Sequence, residues 1–483
     1  MKIKAFLWLS ISLFITTSAF CQAVDLTQED AFVVKDLTFY SSTYPGNQGW
    51  VRMKYDNNSA VSPASALSTK AWDDFGGVVK PVTYISGYSI NVEAHILVDC
   101  PGLELANGPT IFVRGVCSNT TNYNLPIQPA TILDDFFIRY EKGNAEMPFP
   151  DSVVNYFENF EIEWFVSLDD DAPDEDWVSA GVTTTELYVV HDIPDMIYIN
   201  PGGDPNLDTQ PFYTLIHLGC TNAQGKSNPQ EIVDAIYQEF MDQDVRPHSG
   251  SDVPMTYWGP NNAPEPSCFS TFGLLTYLDG RCAAWAEFFQ DIIKMQGIEG
   301  SVKYSVDWNY ILDDENFTRI GTARSNFFGD ESANVQFVGY NHPATGELGV
   351  KADFLVKTWS TTVDDVFIVH EYNPSNIDVI TLDNGNEIHC REEDGVVGQG
   401  NIDPRSYFLS HAIVKYADFF YDPSYGTPIS DSSNVWENQS LDAFGGRARY
   451  TTVDPEGIQV IHELYWLSEL NTTSLQTNFV PND

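Results

Sequence analysis

Along the 483-residue chain the spacing of apolar positions changes, and the change divides it. From about residue 24 to 190, apolar residues come in short alternating runs separated by Gly, Pro, Asn and Ser, as at 84–92, 110–114 and 160–166. A period of two puts every second side chain on one face of a strand, so residues 22–200 predict one or two antiparallel β-sandwich units. Pro201-Gly202-Gly203-Asp204-Pro205 then punctuates the chain, and a new apolar segment opens at Phe212. Asn228 followed by Pro229 marks a helix start, with Ile232, Ile236 and Phe240 recurring four residues apart. A second helix is predicted after Cys282, where Trp285, Ala286, Phe289 and Ile293 follow at three, four, seven and eleven residues and Gly297 ends the run. Residues 301–306 read as a strand and 410–425 as a hairpin turning at Ala417-Asp418. A tail with strand-like runs at 449–453 and 458–461 follows. The expected fold class is α+β, with a helix-containing domain over 205–430 and a β-rich extension over 431–483. No repeat of fixed period is present.

The helix that opens at Cys282 carries the chemistry. Backbone N–H groups without helical partners and the helix dipole favour negative charge at such a position, which lowers a thiol pKa and populates the nucleophilic thiolate. The competing reading is a structural cysteine on a packed stripe, since Cys is among the most buried residue types. A thiol nucleophile needs a base, and the base needs a third group to hold its tautomer. Folding the 410–425 hairpin back on itself brings Asp422 next to His411 on the adjacent strand.

Gly280-Arg281-Cys282, His411-Ala412 and Asp422-Pro423 together resemble the transglutaminase-like superfamily, whose fold is related to papain. Gly-Arg-Cys-x-x-Trp-Ala, with Gly297-Ile298 after the helix, is also similar to the peptide:N-glycanase branch, whose paired Cys-x-x-Cys zinc motifs are absent here. The resemblance implies a papain-like α+β catalytic domain over 205–430, with Cys282 as nucleophile, His411 as base and Asp422 as its orienting carboxylate. It implies no cofactor. Related enzymes add a side-chain oxyanion donor upstream of the cysteine, for which Trp258 is the candidate, beside the backbone N–H of Cys282. Cys282 and His411 lie 411 − 282 = 129 residues apart, long for the superfamily, so an insertion is expected around 307–400. Within it His370 also ends a strand-like run and is a rival base, but no Asp-Pro hairpin follows it.

Composition narrows the setting. Lys2 and Lys4 precede an apolar run to Ala19 and small residues near Cys21 and Ala23, the pattern of a signal peptide over 1–21, so a secreted or periplasmic protein is expected. Lipid attachment at Cys21 is disfavoured by the bulky Phe20 before it. With the two leader lysines removed, a formal charge of −44 becomes about −46. Such acidity argues against nucleic acid as a partner, because phosphate binding relies on clustered Lys and Arg. Six cysteines remain after the leader, and proximity suggests bridges Cys100–Cys117 and Cys220–Cys268, with Cys282 reserved and Cys390 single. Asp169-Asp170-Asp171-Ala172-Pro173-Asp174-Glu175-Asp176 is rich in oxygen ligands but does not match the EF-hand spacing, and a solvated loop is expected in place of a metal site. His389-Cys390 lacks a second pair at zinc-ligand spacing.

The expected function is that of a secreted cysteine-dependent acyl transferase or amide hydrolase acting on a carboxamide or peptide bond of a protein or peptide. The alternative, from another class, is a catalytically silent binding or scaffold protein that keeps the fold and works through its β-sandwich region.

Overall fold

In the computed structural model the described residues are, short breaks apart, 31–40, 51–57, 68–195, 210–308 and 397–436, together with the backbone of strands within 336–389 and 441–482. The leader and Cys390 lie outside them. The chain forms two compact units. The first takes the described residues of Met1–Lys54, Ala60–Ile193 and Gln224–Ser227, and the second those of Tyr55–Ser59, Pro194–Ala223 and Asn228–Asp483. The division therefore does not fall cleanly at the Pro-Gly segment, because 55–59 and 224–227 each belong with the other unit.

The first unit consists of two sheets. One runs Val78–Val79, Ser68–Asp73, Phe32–Tyr40, Asn91–Val98, Phe137–Asn144, Thr131–Ile132 in spatial order, and the other Val82–Ile85, Val178–Val190, Asn155–Ser167, Phe112–Cys117, Leu125–Pro129. Alternation sends Val92, Ile96 and Ile138 from the first and Val113, Ile162 and Leu187 from the second into one shared apolar core. All pairings are antiparallel except one: Val82–Ile85 runs parallel to the end of Val178–Val190, a departure from the purely antiparallel expectation. Trp164 is fully buried and satisfies its indole N–H on the Thr183 hydroxyl at 3.0 Å. The acidic stretch links the two 13-residue strands of the second sheet. There Asp169 accepts from the Asp171 amide at 3.1 Å and Asp174 pairs with Arg114 at 2.8 Å.

The second unit places four helices, α1 Tyr213–Asn222, α2 Pro229–Met241, α3 Thr271–Tyr277 and α4 Cys282–Met295, with six strands that matter to the site. These are β1 Thr256–Tyr257, β2 Asp279–Gly280, β3 Val302–Trp308, β4 Ser410–Tyr416, β5 Phe419–Tyr421 and β6 Thr477–Asn482. An antiparallel sheet orders them β5-β4-β3-β6, and the β1-β2 pair is parallel and separate. The Asn228 side chain caps α2 by accepting from the amides of Gln230 and Glu231 at 2.9 and 3.3 Å. Helix α4 buries Ala284, Trp285, Phe288, Phe289, Ile292 and Ile293, and it packs on β4, α1 and α3.

The insertion and the C-terminal extension are not independent pieces. Val366–His370, Gln459–Glu469, Leu441–Val453, Lys351–Val356 and Tyr407–Phe408 line up as neighbours in one sheet. The last strand, β6, then returns to pair with β3. The bridges suggested by proximity do not form: none of Cys100, Cys117, Cys220, Cys268 and Cys282 is in a disulfide. Cys117 points at the Tyr123 carbonyl and Cys220 lies against Gln296, so these sulfurs serve as small core side chains.

Candidate active site

Three elements deliver the cysteine, the imidazole and the carboxylate. Leu278 ends α3 in the left-handed region at φ 54°, Asp279-Gly280 runs as a two-residue strand, and Arg281 is the extended cap before Cys282. Added at Gly280, a Cβ would meet Ala284 Cβ at 3.0 Å and Leu274 Cδ1 at 3.1 Å, so a side chain here fits only if these neighbours give by a few tenths of an ångström. Cys282 is thus the first residue of α4 and is partly accessible, where most of that helix is buried.

His411 is the second residue of β4, across from Val306 on β3. The hairpin turns at Ala417, φ 50°, and β5 ends one residue before Asp422. The His411 Nε2 to Asp422 Oδ2 distance is 2.8 Å, and both side chains are about 1% exposed. Burial favours the neutral imidazole, but the Asp422 carboxylate outweighs it. Together with the nearby Cys282 side chain, it raises His411 to about 10. The imidazole lies nearly parallel to Trp436, with ring centres 6.2 Å apart, and beside Tyr425 at 5.5 Å. Tyr237 on α2 fixes the backbone of the carboxylate: its hydroxyl accepts from the Asp422 amide at 3.0 Å and faces the carbonyls of Asp422 and Thr427 at 3.0 and 2.8 Å. His370, the rival base, is on a strand of the other sheet, paired with Glu463.

Trp258 follows β1, whose Tyr257 registers with Gly280. Its amide donates to the Gly280 carbonyl at 3.1 Å, so its backbone is bonded to the residue two positions before Cys282. It adopts φ 51°, a left-handed conformation that a bulky side chain seldom takes and that persists only when neighbours enforce it. Those neighbours are identifiable. Asp279 Oδ1 accepts from the Gly259 amide at 2.8 Å and the Thr256 hydroxyl at 3.1 Å, and Asn401 Nδ2 donates to the carbonyls of Tyr257 and Trp258 at 2.9 and 3.0 Å. The Arg281 guanidinium stacks over the indole, 4.5 Å from the ring centre.

No family model, curated protein or solved structure matches the chain. Residue types gave no cue to Tyr237, Trp436, Tyr425, Gln399 or Asn401, because each acts through a contact made across more than a hundred residues of sequence or through ring packing. The Asp279 side chain was within reach of sequence reasoning, since an Asp just after a helix end is a common cap for a following loop.

Proposed function

We propose that the protein is a cysteine-dependent acyl transferase or amide hydrolase of the transglutaminase-like kind, exported from the cytoplasm. The observation that carries the proposal is the buried 2.8 Å His411–Asp422 pair, with the side chain of Cys282, at the first position of α4, near enough to act on the same imidazole.

In this reading the Cys282 proton passes to His411 and the thiolate attacks the amide carbon of a protein or peptide substrate. Negative charge that develops on the carbonyl oxygen is met by the Cys282 backbone N–H, which has no intrahelical acceptor at the first helical position, and by the Trp258 indole N–H. The His411 imidazolium gives its proton to the departing amine, leaving a thioester on Cys282. His411 then takes a proton from the incoming nucleophile as it resolves the thioester. An amine acceptor gives a crosslink or exchange product; water gives deamidation or hydrolysis. Asp422 keeps the imidazole oriented and stabilises its charged form throughout. No helix among the described residues is long and apolar enough to cross a membrane, in keeping with an acceptor or donor met in solution.

Incubation with a primary amine and a glutamine-containing protein, read by mass spectrometry, tests the proposal. A product formed by the wild type and not by Cys282→Ala is expected. If no substrate acquires a Cys282-dependent mass change with amine or water as acceptor, the protein is the silent scaffold of the alternative reading.

A further inference from the structure

Between the insertion and β4 the chain makes a tight turn, Gly398-Gln399-Gly400-Asn401, closed by amide-to-carbonyl bonds in both directions between Gly398 and Asn401 at 2.9 and 3.1 Å. None of these residues is among the reacting groups. Their hydrogen bonds nevertheless reach each segment that frames the site.

Gln399 is fully buried, and its side-chain amide donates to the carbonyls of Phe240, at the end of α2, and Pro423, just after the carboxylate, at 2.6 and 2.9 Å. Its main chain adds a third segment, β1: the amide donates to the Ser424 carbonyl at 3.1 Å and the carbonyl accepts from the Tyr257 amide at 2.8 Å. Gly400 donates to the Gln243 carbonyl at 3.2 Å, and Gln243 Nε2 returns to the carbonyls of Val397 and Tyr425 at 2.7 and 2.6 Å. Gly400 itself is at φ +55°, and a Cβ there would collide with the Met255 carbonyl, so the turn fits against β1 only with glycine. Asn401 completes the set with its two bonds to Tyr257 and Trp258.

We infer that Asn401 is a positioning residue for the proposed acyl transfer, holding the left-handed Trp258 so that its indole meets the oxyanion, while Gln399 sets the spacing between that loop and the Asp422 loop. The inference rests on the cysteine-enzyme reading. The two arms of the site also touch where the Tyr257 ring packs edge-on against Tyr425, 5.0 Å between ring centres, and the turn adds hydrogen bonds to that contact. Loss of Asn401 leaves Cys282, His411 and Asp422 untouched, so it should impair charge development at the carbonyl and spare thiolate formation. This separation distinguishes positioning of Trp258 from a general structural role.

The test uses two reactions of the full chain. Alkylation of Cys282 by iodoacetamide reads the thiolate alone, because no oxyanion forms; the nitrophenol burst with p-nitrophenyl acetate reads acylation, where one does. Asn401→Ala is expected to alkylate within about twofold of wild type and to acylate about 10- to 100-fold more slowly, at saturating ester. Asn401→Asp, of the same shape but without the donor, should show the same split, and is the variant to read if alanine loosens the fold. Trp258→Phe should acylate slowly too, and adding Asn401→Ala to it should slow it by less than about threefold. Acylation at the wild-type rate in both Asn401 variants overturns the inference, as does a parallel loss of alkylation and acylation, or losses that multiply in the double variant. A wild-type Cys282 that neither alkylates readily nor acylates overturns the enzyme reading itself, and the inference with it.

Discussion

Cys117 and Cys282 are the same side chain in two surroundings, one in each unit. Cys117 sits in the shared core of the two sheets, donates to the Tyr123 carbonyl at 3.0 Å, and burial pushes its thiol up to about 12. Cys282 starts a helix, remains partly accessible, and has an imidazole beside it whose proton is held by a carboxylate. The wider surroundings differ in the same way. Both units bury polar groups, among them Lys54, Thr183 and Thr185 in the first, but the second buries an imidazole and a carboxylate, His411 and Asp422, against one another. Around the candidate site the hydroxyl of Tyr257, Oδ1 of Asp422 and Oε1 of Gln399 are buried without a hydrogen-bond partner in the chain. Tyr257 is also held well above its usual range by burial and by the Tyr425 side chain, though the two hydroxyl-bearing rings do not close a bond of normal geometry. Unsatisfied buried polar groups are costly and uncommon; the first unit holds some too, at Thr83 Oγ1 and Asn91 Oδ1, but in the second three of them lie around one buried imidazole–carboxylate pair.

The comparison breaks most completely at the carboxylate. Asp422→Asn removes the charge that raises His411, so turnover is expected to fall roughly 10²- to 10⁴-fold. The alkaline limb of the acylation profile should also move from near 10 towards the ordinary imidazole range. The same link affects stability. A histidine whose folded pKa lies above its unfolded value contributes stability that is fully present below the unfolded pKa and is lost as pH rises through about 10. Asp422→Asn should therefore flatten the pH dependence of thermal stability across that window.

Next in size is the turn. Gly400→Ala imposes both a left-handed φ on alanine and a clash with Met255, and should destabilise the second unit by about 1–3 kcal/mol in denaturant unfolding. Gly225→Ala, a left-handed glycine with nothing near its absent Cβ, isolates the backbone cost alone and should lose about 1 kcal/mol.

Asp291, on the buried face of α4, gives a milder effect of opposite sign. Burial, and then the nearby Glu287, raise its carboxyl to about 7, and the Thr271 hydroxyl donates to it at 2.6 Å. The stability from its retained proton is present below the ordinary carboxylate range and is lost as pH rises through about 7. Asp291→Asn keeps an acceptor for Thr271 and should raise stability above neutral pH, by on the order of 1–3 kcal/mol, with little change near about pH 3. In the first unit Cys117→Ala should cost no more than about 1–2 kcal/mol and leave acylation unchanged.

How much of this was legible in the sequence depends on the range over which each feature is encoded. The Cys282 helix and the His411–Asp422 hairpin are local: one is a 3.6-residue apolar period, the other two strands separated by a two-residue turn, and the structure has both elements close to where the periodicity put them. The Asn228 cap is equally local. What was not legible is set at long range. The pairing of Lys351–Val356 and Val366–His370 with the C-terminal strands joins residues about a hundred positions apart, and no local pattern announces a β partner. The 398–401 turn acts through side-chain amides on distant carbonyls, so nothing in its residue types marks Gln399 or Asn401. The expected disulfides failed for a related reason: spacing says which sulfurs are near in sequence, while the sheets and helices decide which point at each other.

The proposed chemistry requires a nucleophilic Cys282 beside His411, and the pH dependence of its alkylation tests that directly. Iodoacetamide at about pH 6, with each cysteine followed by peptide mass spectrometry, should modify Cys282 first and by a wide margin, leave Cys117 unmodified, and lose the preference in Asp422→Asn. Alkylation of native Cys282 at about pH 6 no faster than that of the same cysteine in the unfolded chain would contradict it.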